Sequence, residues 1–218
     1  MKTTLFAVSL FCLFSACGSQ DKSGAGSPGE WLVKQDFESF GVAGLPLGWR
    51  IGETNGRGLL ASWGEVTGRQ GKGFGVLETR NVRSTYNVSV LDGVNLTDFH
   101  ASFSIQARTG EEDQGGGLVW RFRDFNNYYI CRWNPLEDNL RFYKVVDGKR
   151  TMLASSEFKA HPKAWHLIQV HVQGKSVKIL MDEDVKIEAE DETFTAAGRV
   201  GFWTKADAAT SFDQLYIR

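Results

Sequence analysis

Cysteine is scarce in this chain, with three residues in 218, at positions 12, 17 and 131. Cys12 and Cys17 belong to the leading segment, so Cys131 is the one thiol left to the folded part and no intramolecular disulfide is available to it. A surplus of either charge is missing too: 25 Lys and Arg stand against 26 Asp and Glu. That balance excludes the basic excess on which phosphate-backbone binding depends. No stretch carries apolar residues at helical spacing over three turns, which excludes a helical bundle. Spacings for a nucleophile elbow, a zinc-protease helix or a thiol pair are absent. The apolar run from Leu5 to Phe14 is too short to cross a bilayer.

That run has a different use. Lys2 supplies positive charge ahead of it, and the small residues Ser15 and Ala16 follow, so residues 1–16 read as an export signal. Phe14-Ser15-Ala16-Cys17 resembles the bacterial lipobox, with Phe14 where Leu is usual, and the resemblance implies lipidation of Cys17. Gly18 behind it leans by analogy toward the outer membrane. Residues 17–29, almost free of apolar side chains, read as a lipid-anchored flexible linker. Residues 30–218 remain as one domain, because no second shift in composition divides them. The expected location is the bacterial cell envelope, with the membrane touched through the lipid anchor alone.

Alternation dominates that domain. Phe99, Ala101, Phe103 and Ile105 are apolar, while His100, Ser102, Ser104 and Gln106 between them are polar, the pattern of a half-buried strand. The same period at Ile168, Val170 and Val172 and again at Val177, Ile179 and Met181, joined by a turn at Gln173 to Lys175, predicts a hairpin. Glycines every eight to twelve residues complete an all-β pattern. Between Gly115 and Ser155, turn signals at Asp124 to Asn127, Asn134 to Asn139 and Asp147-Gly148 predict a four-stranded meander. With Arg123 opposite Tyr128, one face holds Leu118, Trp120, Phe122, Tyr129, Cys131, Trp133, Leu140 and Phe142 and reads as core. The opposite face holds Val119, Ile130 and an Arg/Tyr set.

The strings from Gly117 to Tyr129, from Asn134 to Gly148, and Gly201-Phe-Trp-Thr-Lys-Ala-Asp207 leading into Ser211-Phe-Asp213 carry a family likeness. With an opening Asp36-Phe-Glu38 strand and Trp165-His166 starting a later one, they resemble bacterial LamG-like, concanavalin A-like jelly-roll lipoproteins related to the keto-disaccharide hydrolase domain. The resemblance covers most of residues 31 to 218. It implies a two-sheet antiparallel jelly-roll sandwich whose first and last strands lie side by side, outside the cytoplasm and often associated with sugars. For activity it is weak, because one such fold hosts many functions.

Sugar recognition combines flat apolar surface for pyranose C–H groups with planar side chains that address pairs of hydroxyls. Arg121, Arg123, Tyr128, Arg132, Arg141 and Tyr143 offer this on one sheet face and form the expected ligand-binding set. Its guanidinium groups favour an anionic glycan or polysaccharide; burial of Arg121 and Arg132 in closed ion pairs, or their turning away from any groove, would remove this reason to expect a glycan. Asp36 and Glu38 on the first strand with Asp213 on the last form a candidate structural calcium site; no motif asks for another cofactor. Glu188 and Glu190 have the alternate spacing of a glycosidase pair but sit in a charge-dense segment. The Gly71-Lys-Gly73-Phe-Gly75 run precedes a strand and reads as a turn, and Asp207 reads as a loop residue bonding backbone amides. His100, His161, His166 and His171 have no spacing that brings two together for a metal. The first functional reading is a non-catalytic, lectin-like lipoprotein that binds glycan and no nucleic acid. The alternatives are a glycoside hydrolase or lyase acting on oxidised disaccharides, which the resemblance suggests, and an envelope module binding protein partners through a sheet edge.

Overall fold

A computed structural model describes residues 30–218; the expected signal and linker, with Cys17, lie outside the described residues. Among the described residues, two-residue periodicity resolves into fifteen strands and one 3-10 turn, Thr54–Gly56. The strands are β1 (Val33–Gln35), β2 (Trp49–Glu53), β3 (Ser62–Thr67), β4 (Lys72–Glu78), β5 (Tyr86–Leu96), β6 (Phe99–Thr109), β7 (Gly117–Asp124), β8 (Asn127–Asn134), β9 (Asn139–Val146), β10 (Lys149–Glu157), β11 (His166–Gln173), β12 (Ser176–Met181), β13 (Asp184–Glu190), β14 (Gly198–Lys205) and β15 (Ala209–Ile217). One sheet runs β13-β12-β11-β6-β15-β4-β3, with β1 added to β15; the other runs β10-β9-β8-β7-β14-β5-β2. The first and last strands do lie side by side, Val33 opposite Ile217. The opening strand stops at Gln35, short of Asp36 and Glu38.

Each strand sends alternate side chains into the space between the sheets. Phe99, Ala101, Phe103 and Ile105 enter it from β6, and Ile168, Val170, Val177 and Ile179 enter from the β11–β12 hairpin. That hairpin turns through Gly174 and Lys175, with Gln173 opposite Ser176. Aromatic rings fill the centre: Phe202 stacks on Phe212 at 4.1 Å between centroids, and Trp120 on Phe142 at 5.3 Å. Each such ring withdraws apolar surface worth roughly 1.5–3 kcal/mol. Cys131 lies in this layer, where burial pushes its thiol up to about 12 and makes it inert packing.

The four-stranded meander forms as the sequence predicts, β7 to β10, with turns at the three expected places. Its register departs from expectation in β7. Asp124 stands opposite Asn127, yet Trp120 stands opposite Tyr129, so β7 carries two residues more than β8 over this span. The excess is taken up as a bulge at Arg121, whose φ of 45° lies in the left-handed region. Gly198 on the neighbouring strand makes room, since a Cβ there would sit 2.4 Å from the Arg121 carbonyl carbon. Arg121 and Phe122 thereby exchange faces. Seven of the eight residues expected in the core are there; Phe122 packs instead on the outer side of the sheet.

Candidate functional site on the outer face of the β2–β10 sheet

The outward face of this sheet is a second apolar layer, built from Tyr86, Val88 and Val90 of β5, Val119 and Phe122 of β7, Tyr128 and Ile130 of β8, Val145 of β9 and Trp203 of β14. An apolar face buried this fully needs a cover, and its own margins supply it. β2 and β10 are the two edge strands. Nevertheless Thr54, just past β2, donates its hydroxyl hydrogen to the Phe125 carbonyl at 2.7 Å and accepts from the Tyr128 phenol at 2.6 Å. Asn55 donates through its side chain to the Gly148 carbonyl in the β9–β10 turn at 3.1 Å and through its backbone to Asn126 at 2.8 Å. The sheet is therefore curled, with this face concave. Gly52 lets Phe125 lie against β2, since a Cβ would sit 2.2 Å from that ring.

A cleft of about 670 Å³ opens where the cover stops, between the 3-10 turn, Val82–Tyr86 and Asp147–Arg150. Arg150 extends from the β10 edge across the apolar layer: its guanidinium carbon lies 4.4 Å from the Tyr143 ring centroid, 5.1 Å from Tyr86 and 5.7 Å from Trp203. Such stacking holds a guanidinium in place without neutralising it. Its Nη1 is buried without a hydrogen-bond partner among the described residues. Arg57, Arg83 and Lys149 also line the cleft, where Asp147 is the carboxylate. Among the described residues none of these four cations makes an ion pair, whereas Arg50, Arg132, Arg141 and Arg199 elsewhere in this sheet all do.

The walls are held by buried amides. Asn81 donates to the Leu59 carbonyl at 2.6 Å and to Asn87 at 2.7 Å, and Asn87 donates in turn to Thr204 at 3.1 Å and the Ala206 carbonyl at 3.2 Å. Satisfied networks of this kind fix loops in one arrangement. Asp207 accepts the backbone amides of Glu111, Glu112 and Asp113, the role read from the sequence, played toward a different loop.

The expected six-residue Arg/Tyr surface is corrected by this arrangement. Arg121 is 2% exposed, and the bulge turns it to the rim between the sheets, where it donates to the carbonyls of Thr97, Phe194 and Gly174. Arg132 and Asp113 are each 1% exposed and form a closed pair at 2.8 and 2.9 Å, which Lys205 joins at 2.8 Å. Tyr128 is buried under Thr54, and burial raises the pKa of its phenol. Arg123 stays exposed but lies 4.9 Å over Phe194. Arg141 bonds Glu137 at 2.7 Å and reaches the Tyr143 phenol at 3.4 Å. Partial burial opposes ionisation of Glu137, but hydrogen bonds from Arg132 and Asn139 and the charges of Arg132 and Arg141 outweigh it and hold the carboxyl at about 2. Two of the six contact cleft residues, Tyr128 through its phenol at Thr54 and Tyr143 through its ring under Arg150.

Sequence reading missed Arg57, Arg83, Lys149 and Arg150. Only Asp147-Gly148-Lys149-Arg150, a turn followed by two adjacent cations, left a local trace. At the candidate calcium site, Asp213 accepts the amides of Arg69 and Gln70 at 2.8 and 3.2 Å, and Glu38 accepts that of Lys72 at 3.2 Å. Asp36 accepts the Glu38 amide at 3.3 Å. Asp213 and Glu38 clasp the β3–β4 turn while Asp36 bonds only Glu38, and no group of three metal-ligating side chains converges among the described residues.

Two antiparallel sheets, the terminal strands side by side and one concave outer face define a jelly-roll β-sandwich of the galectin-like kind. No protein-family model matches the chain. Among solved structures it is similar to the carbohydrate-binding module CBM66 from Bacillus subtilis, at a TM-score of 0.61 and 21% identity over 78% of this chain and 95% of that one. It is similar also to a Bacillus subtilis protein of unknown function with a galectin-like fold, at 0.62 and 10% over 87% and 96%. Domain 4 of AbnA, an extracellular arabinanase from Geobacillus stearothermophilus, in complex with arabinotriose, matches at 0.53 and 13% over 78% and 81%. In sequence, the chain is 22% identical over 137 residues to a levanase of Bacillus subtilis, spanning 62% of this chain and about one fifth of that relative.

Proposed function

We propose that residues 30–218 are a carbohydrate-binding module that takes an anionic glycan, carboxylated or sulfated, in the cleft between the 3-10 turn, Val82–Tyr86 and the β9–β10 turn. One observation carries this: four cationic side chains without ion-pair partners among the described residues meet there, one of them laid across Tyr86, Tyr143 and Trp203. Guanidinium groups that line a cleft without a carboxylate partner suit carboxylate or sulfate oxygens, each charge-assisted bond contributing about 1.5–3 kcal/mol. The similarity to CBM66 and to an arabinotriose-bound domain supports sugar as the ligand class. The likeness to LamG-like relatives of the keto-disaccharide hydrolase domain belongs to the same reading. So does lipid anchoring at Cys17 in a bacterial envelope, for which Cys17→Ala should move the protein from the membrane to the soluble fraction.

The test is retention on polygalacturonate and sulfated polysaccharide against levan and arabinan, with Arg83→Ala and Arg150→Ala combined. Retention by the anionic polymers alone, reduced tenfold or more in the double variant, is the expected result. Retention by none of the four polymers, or equal retention of the double variant, would overturn the proposal.

A further inference from the structure

On the far side of the molecule, antiparallel pairing does what spacing along the chain did not: it sets His100 of β6 directly opposite His171 of β11. The hydrogen bonds of β6 show which kind of pair this is. His100 exchanges N–H···O bonds at 2.8 and 3.0 Å with Arg218, on the β15 side, so its backbone polar groups turn away from β11. The two histidines are thus a non-hydrogen-bonded pair, the class in which side chains stand closest. Their rings are stacked, with centroids 4.2 Å apart and planes 13° from parallel. Both line a groove of about 570 Å³ that continues over Lys178 of β12 and Glu188 of β13.

We propose that His100 and His171 together bind a divalent transition-metal ion that favours imidazole, Zn²⁺ or Cu²⁺, with water completing the coordination. The inference is independent of glycan binding, which uses the opposite sheet. Neither imidazole has a hydrogen-bond partner among the described residues, in contrast to His166, whose two ring nitrogens are engaged by Asp182 at 2.7 Å and the His161 carbonyl at 3.1 Å. Free nitrogens on neighbouring strands, with open groove beside them, are what chelation by two side chains needs. Glu188 would otherwise compete as a ligand, but Lys178 holds it at 3.0 Å. In the stack the ring nitrogens lie in near-parallel planes, so chelation requires both rings to turn about χ2; His100 is exposed and His171 half-buried at the open groove.

Titration of the untagged full chain with ZnCl₂ in a calorimeter at pH 7.5, and of Cu²⁺ followed by electron paramagnetic resonance, tests the proposal. One equivalent of ion should bind, with nitrogen couplings from two imidazoles in the copper spectrum. His100→Gln and His171→Gln should each weaken binding tenfold or more, and His161→Gln should leave it unchanged. Binding should also fade as pH drops from 7.5 to 5.5, because protons compete with the metal for imidazole nitrogen; Glu188, Glu190, Lys175, Lys178 and Arg218 are the other charged groups around the groove. Absence of binding, or binding that survives both His100→Gln and His171→Gln in variants with native circular dichroism, would overturn it.

Discussion

Arg121 and Phe122 occupy each other's sides of β7: the guanidinium caps three carbonyls at the rim between the sheets, and the ring lies on the outer face where alternation places the cation. Removing that guanidinium strips donors from one buried and two part-buried carbonyls. Arg121→Ala should cost about 2–4 kcal/mol, against less than about 0.5 for the exposed Arg123→Ala. Urea unfolding of the two variants measures the difference; equal midpoints would show that the cap is idle.

Asp113 is the centre of the buried ion cluster, touching Arg132, Lys205 and Asn134. Asp113→Ala leaves Arg132 buried beside Lys205 with only Glu137 at 3.3 Å, a carboxylate shared with Arg141, and should lose about 3–5 kcal/mol. The double change Asp113→Asn with Arg132→Met, which removes both charges, should lose less than Asp113→Ala alone. Thermal unfolding of the pair of variants decides.

Acid should act through Glu137 and Asp191, each held at about 2, well below the ordinary values of 4.5 and 3.8. A carboxyl whose folded value is depressed stabilises the fold above its unfolded value and loses that contribution as pH falls toward the folded one. Stability should therefore decline between about pH 4.5 and 2. Glu137→Gln should flatten part of this slope, modestly, because its side chain is 42% exposed and screened by water. A melting profile of the variant that falls as steeply as the parent's would count against the assignment.

Gly52→Ala places a methyl 2.2 Å from the Phe125 ring and must push that ring off β2. The expected cost is about 1–3 kcal/mol. Because Phe125 and Thr54 close the concave face together, retention on anionic polysaccharide should fall in the same variant. Gly44→Ala serves as control: its Cβ meets nothing within 4 Å, and its positive φ is the strain it adds. Unchanged retention by Gly52→Ala would separate the cover from the binding cleft.

Period-two alternation and turn residues determined the fold class, the β11–β12 hairpin and the four-stranded meander, because side-chain direction and turn geometry are local properties of the chain. The core set followed from the same rule, and it failed at Phe122, where a bulge permitted by Gly198 on another strand reset the faces. No local signal carries that permission. The cleft gathers Arg57, Arg83 and Arg150 from three distant segments, and the histidine pair joins residues 71 apart in sequence, so both exist only once the sheets have formed. Whether a guanidinium is free or neutralised was likewise decided in space: Arg132, which the sequence placed in the binding set, is closed by Asp113, whereas Arg150, which it did not single out, makes no ion pair among the described residues and lies across aromatic rings.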